Sequence, residues 1–227
     1  MKLLLLTLMA AAANAGPSYT RVFTEQNQVG NYADFNDYVP NLSLVGFDNT
    51  IDSVIQTGMW MYYDNQNYNI VSGKVYWVHG IDIHVNFPTE YTNMCTSLRY
   101  AGSPNYLNED TWTMYEGSYF TGVEYYGNGE SSNFGPITGS VSSFILTGLS
   151  PWTIYSGENW SGDTMCVYPN TDHDVGSNGA TIDFGIFPEV SPFVGIWGPV
   201  VEPRVLWECL GSCGSVWGPV GVYVFLW

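Results

Sequence analysis

The sequence predicts an all-β protein, and three observations carry that prediction. Beyond residue 16 the helix-favouring residues Ala, Leu, Lys and Glu are sparse, and Gly, Asn, Ser or Thr interrupts the chain every few positions. Between these interruptions lie short runs of β-branched and aromatic residues, at 54–57, 59–63, 74–78, 112–115 and 144–147. Such side chains fit a pleated, half-buried surface, and regular short strands with turn punctuation describe a sandwich or barrel. The third observation is an internal repeat, which sets the architecture.

Four hairpin-like segments recur: FTEQNQVG from Phe23, YDNQNYNI from Tyr63, YEGSYFTG from Tyr115 and YSGENWSG from Tyr155. The last two match best, each with an aromatic, a second aromatic five residues on (Phe120, Trp160) and Gly two further. The leading aromatics stand 40, 52 and 40 residues apart, which predicts two pairs of repeats with a longer connector between them. The connector is read as residues 102–110 (GSPNYLNED), rich in the residues that punctuate structure. A second element follows each hairpin: DNTIDS (48–53), TNMCTS (92–97), TGSVSS (138–143) and SNGATI (177–182). Each carries Asp, Ser or Thr fifth, and three of the four end in Ser. Small oxygen-bearing side chains suit tight loops that aim carbonyls and hydroxyls at one point.

Charge excludes some functions. The 227 residues hold 21 acidic and 5 basic side chains, for a net charge of −16. With 45% apolar and 16% aromatic residues the chain is too hydrophobic to be a disordered acidic polymer. No Lys/Arg cluster exists to displace counterions from nucleic-acid phosphates, and an anionic membrane would repel such a surface. Divalent cations are the natural electrostatic partner.

The first residues read as a secretory leader: Lys2, an apolar run to Ala13, then the small-residue pattern Ala13-Asn14-Ala15. The mature, secreted chain is expected to begin near Gly16, with Lys2 removed and the net charge at −17. An oxidising compartment makes Cys95, Cys166, Cys209 and Cys213 candidates for disulfides, with three possible pairings. Two glycosylation acceptor patterns are present, Asn41-Leu42-Ser43 and Asn159-Trp160-Ser161.

The paired elements resemble the βγ-crystallin Greek keys, in which an aromatic-x4-aromatic-x-Gly hairpin precedes an N/D-N/D-x-x-S/T-S loop. The resemblance covers about residues 19–190. It implies two Greek-key β-sandwich domains of two motifs each, at 16–101 and 111–192, followed by an extension at 193–227. It also implies calcium sites, where the loop of one motif lies beside the hairpin of its partner. Carried over by position, Asp48, Asn49 and Asp52 supply oxygens in the first loop, and Asn93 and Thr96 in the second. The carbonyls of Thr50 and Met94 are further ligands, and Glu25 and Asp64 complete the sites from the hairpins. The second domain is expected to bind less well through Glu116, Ser142, Asn178 and Thr181, because Thr138-Gly139 replaces the acidic or amide pair. Departures in the first domain are Asp52 for Ser or Thr, Gln28 for the second aromatic, and Ile70 for the hairpin glycine.

Nothing points to catalysis: no G-x-S-x-G, H-E-x-x-H or phosphate-binding glycine loop occurs, and His79, His84 and the Asp172-His173-Asp174 run read as strand or loop residues. The tail holds only three charges and a near-repeat, IWGPVVEPRVLW from Ile196 and VWGPVGVYVFLW from Val216. Its apolar end is too short to span a membrane as a helix. It reads as strands packed on the second domain, or as an aromatic contact surface for a membrane, a partner or a second copy. The expectation is therefore a secreted, calcium-binding structural or protective protein that is not an enzyme. The alternatives are a lectin-like or toxin-like defence protein and a protease inhibitor.

Overall fold

A computed structural model describes residues 17–170, 172–177, 179–190 and the backbone of 195–197. The expected leader, Asn178, Cys209, Cys213 and most of the tail lie outside the described residues. Within them the chain is all-β, with every strand pairing antiparallel and only short 3-10 turns between strands.

The N-terminal unit contains β1 (Tyr19–Glu25), β2 (Val29–Phe35), β3 (Ser53–Tyr63), β4 (Val75–Asn86) and β5 (Ser97–Ala101). Its centre is β3, which ends one motif and begins the next. Residues 53–57 pair with β1, residues 59–63 pair with β5, and β4 runs along both halves. The exchange falls at Gly58, where the register with β4 shifts and φ is +97°. A Cβ there would sit 2.6 Å from Ser18 Oγ, so glycine answers both to the backbone and to a close neighbour.

The run from Met59 to Tyr63 shows why this strand lacks polar alternation. Side chains alternate across a strand. Trp60 and Tyr62 enter the core of their own unit with Val22, Leu42, Val54 and Leu98. Met59, Met61 and Tyr63 enter a second cluster, shared with Tyr115, Phe120, Ile145 and Phe184 of the C-terminal unit. All five are fully buried because both faces of the strand are covered. Inside the first core, the Tyr62 hydroxyl donates to Gln56 Oε1 at 2.7 Å and lies 2.8 Å from Thr20 Oγ1, so its polar tip is satisfied.

The C-terminal unit contains β6 (Thr111–Tyr115), β7 (Glu124–Gly127), β8 (Ser143–Thr147), β9 (Trp152–Gly157), β10 (Ser161–Val167), β11 (Asp172–Val175), β12 (Thr181–Phe187) and β13 (Gly195–Trp197). One sheet runs β11-β12-β8-β6-β7 and the other β10-β9-β13. Here too the strands alternate: Phe144 and Leu146 face their own core, and Ile145 faces the shared cluster. The start of the tail, residues 195–197, is a strand on β9.

The seam between the units is polar as well as apolar. Arg99 is 1% exposed. Its Nε donates to the Tyr63 hydroxyl at 3.0 Å, and Nη2 donates to the Phe120 carbonyl at 2.8 Å. Nη1 lies 3.4 Å from Glu124 Oε2. The guanidinium also sits 4.6–5.2 Å from the ring centres of Tyr63, Tyr68 and Tyr115. On the seam's flank His79 lies 3.9 Å from both Asp172 and Asp174.

Residues 102–110 are tied down along their length. The Pro104 carbonyl accepts from Ser18 N at 2.9 Å, and Leu107 is buried in the shared cluster. The Asp110 carboxylate accepts from Leu149 N, Ser150 N and Ser150 Oγ at 2.7, 2.9 and 2.6 Å. Asp110→Ala is expected to lower stability by about 2 kcal/mol, since hydrogen bonds to a charged group exceed neutral ones. Urea unfolding checks it; a midpoint unchanged from the parent would show the turn at 148–150 to be held otherwise.

The disulfide expectation is corrected. No disulfide is present among the described residues. Cys95 is a buried thiol in the core of the N-terminal unit, where its Sγ donates to the Ser97 carbonyl at 3.3 Å. Burial pushes that thiol well above its ordinary pKa, which makes it unreactive. Cys166 lies on β10 of the other unit, its Sγ 3.9 Å from Thr153 Oγ1.

Candidate cation-binding loops

The polar loops at 48–53 and 92–97 lie side by side and are laced reciprocally. Asn49 N donates to the Cys95 carbonyl at 2.8 Å, and Asn93 N donates to the Ile51 carbonyl at 3.1 Å. The second residue of each loop thus binds the fourth of the other, a local two-fold arrangement. The fourth residues, Ile51 and Cys95, are fully buried and anchor the loops in the core.

The fifth residue of each loop reaches its own hairpin. Asp52 N donates to the Phe23 carbonyl at 2.9 Å, Thr96 N to that of Tyr63 at 2.7 Å, and Ser142 N to that of Tyr115 at 2.9 Å. The sixth, always Ser here, fastens the hairpin corner. Ser53 Oγ donates to the Glu25 carbonyl at 2.5 Å and accepts from Gln28 N at 3.0 Å. Ser97 Oγ does the same with Asn65 and Tyr68, and Ser143 Oγ with Gly117 and Phe120. The final Ser is therefore a structural staple. Gln28, Tyr68, Phe120 and Trp160 all occupy the left-handed region, at φ 58–63°. A donor at each of the first three corners helps offset that strain.

The side-chain oxygens named from the sequence come together only in part. Asn49 Oδ1 lies 3.5 Å from Thr96 Oγ1, and Asp52 Oδ1 accepts from Asn93 N at 3.1 Å. Asp48 Oδ1 is buried with no hydrogen-bond partner among the described residues. Asp64 Oδ1 accepts from Asn65 Nδ2 at 2.9 Å, and Thr50 Oγ1 donates to the Phe47 carbonyl. Met94 is half-buried at the third position of its loop, and the Glu25 side chain is exposed.

In the C-terminal unit three hydroxyls of the loop at 138–143 are taken up by nearby backbone. Thr138 Oγ1 bonds Gly135 and Phe134, Ser140 Oγ donates to Ile137, and Ser142 Oγ donates to Ser140. Glu116 is exposed on its hairpin. The segment 177–182 differs from the expected fourth loop. It turns directly from β11 into β12, with Gly176 N donating to the Ala180 carbonyl, and Thr181 already begins β12. In the strand register Gly195 stands opposite Tyr155 as Ser97 stands opposite Tyr63.

Hairpin 2 also resolves its own departure. The glycine missing at Ile70 is supplied at Gly73, where a Cβ would lie 2.1 Å from Asp64 Oδ1. Gly30 and Gly162 approach Thr24 and Ser156 in the same way.

The expectation of a metal-binding cluster is corrected. Among the described residues no three His, Cys, Asp or Glu side chains converge as metal ligands. The acids are dispersed, and one with no place in any loop, Glu124, is the partner of Arg99. Sequence reading missed this pair because the two residues come from different motifs and different units.

The architecture is that of the βγ-crystallin-like Greek-key proteins. Among solved structures the chain is similar to Geodin, a beta-gamma crystallin from Geodia cydonium, with 16% identity and a TM-score of 0.59, covering 80% of this chain and 99% of that one. It is also matched by a beta gamma crystallin from Ciona intestinalis, with 18% identity, a TM-score of 0.32, and coverage of 37% and 99%. Protein S complexed with calcium matches with 19% identity, a TM-score of 0.30, and coverage of 79% and 98%. No protein-family model matches the chain, and no curated protein matches it in sequence.

Proposed function

We propose that this is a non-catalytic, secreted structural or protective protein, and that the paired loops of its N-terminal unit take up calcium. The observation that supports the calcium reading is the unpartnered buried oxygen of Asp48 beside the laced loops. A buried carboxylate oxygen without a hydrogen bond is costly, and a hard cation would satisfy it. Calcium accepts carboxylate, amide, hydroxyl and carbonyl oxygens in irregular geometry. Asp48, Asn49, Asp52, Asn93 and Thr96 offer such donors, with the carbonyls of Thr50 and Met94 and the hairpin acids Glu25 and Asp64 within the same two motifs. With few carboxylates per loop the affinity is low, in keeping with the millimolar range of extracellular sites.

Calcium held only by the folded state raises stability by about 2.7 kcal/mol at 100 times Kd. The melting temperature of the secreted protein should then rise by about 5–10 °C between chelator and saturating calcium. Asp48→Ala and Asp52→Ala should each reduce that rise, and Glu116→Ala should leave it intact. Superimposable melting curves in chelator and millimolar calcium would remove the calcium reading and leave the structural one.

A further inference from the structure

We propose that Asn159 carries an N-linked oligosaccharide. The tip of the hairpin between β9 and β10 presents Glu158, Asn159, Trp160 and Ser161 as consecutive exposed residues. Asn159 sits in the left-handed region at φ +54°, and its backbone N–H is satisfied by the Ser132 carbonyl at 3.0 Å. The local conformation is thus held by the main chain, and the side-chain amide need not take part. An Asn stands at the same corner in hairpins 1 and 2, as Asn27 and Asn67, yet their second following residues are Val29 and Asn69. The complete acceptor pattern arises only in the fourth hairpin. Hairpins 2 and 3 meet across the seam, where Gly122 N donates to the Tyr68 carbonyl at 3.0 Å. The tip of hairpin 4 is exposed and can carry a bulky polar chain without displacing a packed group.

The second acceptor pattern is a contrast within the same molecule. Asn41 Oδ1 accepts from Ser43 N at 3.0 Å and from Ser43 Oγ at 2.6 Å, capping a 3-10 turn. Leu42 between them is fully buried in the first core. The Asn41 amide oxygen is thus engaged by its own Ser43, whereas in the other pattern Ser161 Oγ donates to the Glu158 carbonyl at 2.7 Å and not to the Asn159 amide.

The modification is a substitution at an anomeric carbon. The Asn159 amide nitrogen bonds to C1 of a sugar carried on a lipid diphosphate, the C1–oxygen bond to the diphosphate breaks, and the amide loses one proton. Nothing is oxidised or reduced. The proposal rests on the secretion reading, and the test separates the two. The full chain with its own N-terminus is expressed in eukaryotic secretory cells, and the medium is treated with peptide N-glycosidase.

The expected result is a secreted product whose mass falls by about one core oligosaccharide, on the order of 1–2 kDa. That loss should vanish in Asn159→Gln and Ser161→Ala and persist in Ser161→Thr. Ser161→Thr preserves the hydroxyl and guards against misfolding as the cause. A secreted chain of unmodified mass, or an Asn159→Gln chain that keeps the full loss, overturns the proposal alone. A chain retained in the cytosol with residues 1–15 uncleaved overturns the secretion reading and this proposal with it.

Discussion

Arg99→Ala should lower the stability of the whole chain by about 3–5 kcal/mol, the cost of breaking a buried ion pair by removing one member. The truncation strips hydrogen bonds from the Tyr63 hydroxyl and the Phe120 carbonyl and leaves Glu124 without its cation. It also empties a site lined by three tyrosine rings. Arg99→Lys should recover little, because an ammonium on a flexible stem lacks the planar fork that bonds two units and stacks on rings. Urea unfolding followed by Trp fluorescence measures the loss. A change under about 1 kcal/mol would mean that the guanidinium does not couple the units.

Glu124→Gln should cost less, since Arg99 retains its bonds to Tyr63 and Phe120. Burial raises the Glu124 pKa above the usual carboxylate range, with Arg99 and a hydrogen bond from Tyr38 pulling the other way. The folded state therefore holds this proton to higher pH than the unfolded state does. Its contribution to stability is complete below the unfolded value near 4.3 and declines as pH rises through the folded value. Glu124→Gln should flatten that decline, which stability curves between pH 4 and 7 would reveal.

Phe120→Ala should cost about 3–5 kcal/mol, whereas Trp160→Ala, at the same place in the repeat, should stay within about 0.5 kcal/mol. Phe120 is fully buried between Tyr115 and Trp77 in the shared cluster, while Trp160 is 44% exposed. Equal losses would mean that the aromatic serves the hairpin corner itself rather than the seam. The same reasoning accounts for Gln28. Its backbone N–H is still held by Ser53, and its side chain reaches the polar Asn86 Oδ1 at 3.2 Å rather than an aromatic cluster.

Much of this was legible locally. The strand runs, the hairpin corners and the loops at 48–53, 92–97 and 138–143 follow from residues close together in the chain. The run at Met59–Tyr63 reads as a strand from its residues, whereas its cover on both faces comes from the two clusters that meet there. The fourth loop was misplaced because SNGATI satisfies the spacing of a loop while serving as a tight hairpin turn. Only the pairing of β11 with β12 across it shows that it is such a turn.

The sequence by itself determined the strands, the four corners and the serines that fasten three of them, because short-range sterics and hydrogen bonding dictate these wherever the chain lies. Which hairpins meet, why Cys95 is a core thiol and why Glu124 is buried beside Arg99 were decided by the tertiary structure. Those features depend on strands far apart in the chain being brought face to face. The burial of Arg99 against Glu124 arises only when the two units close on each other.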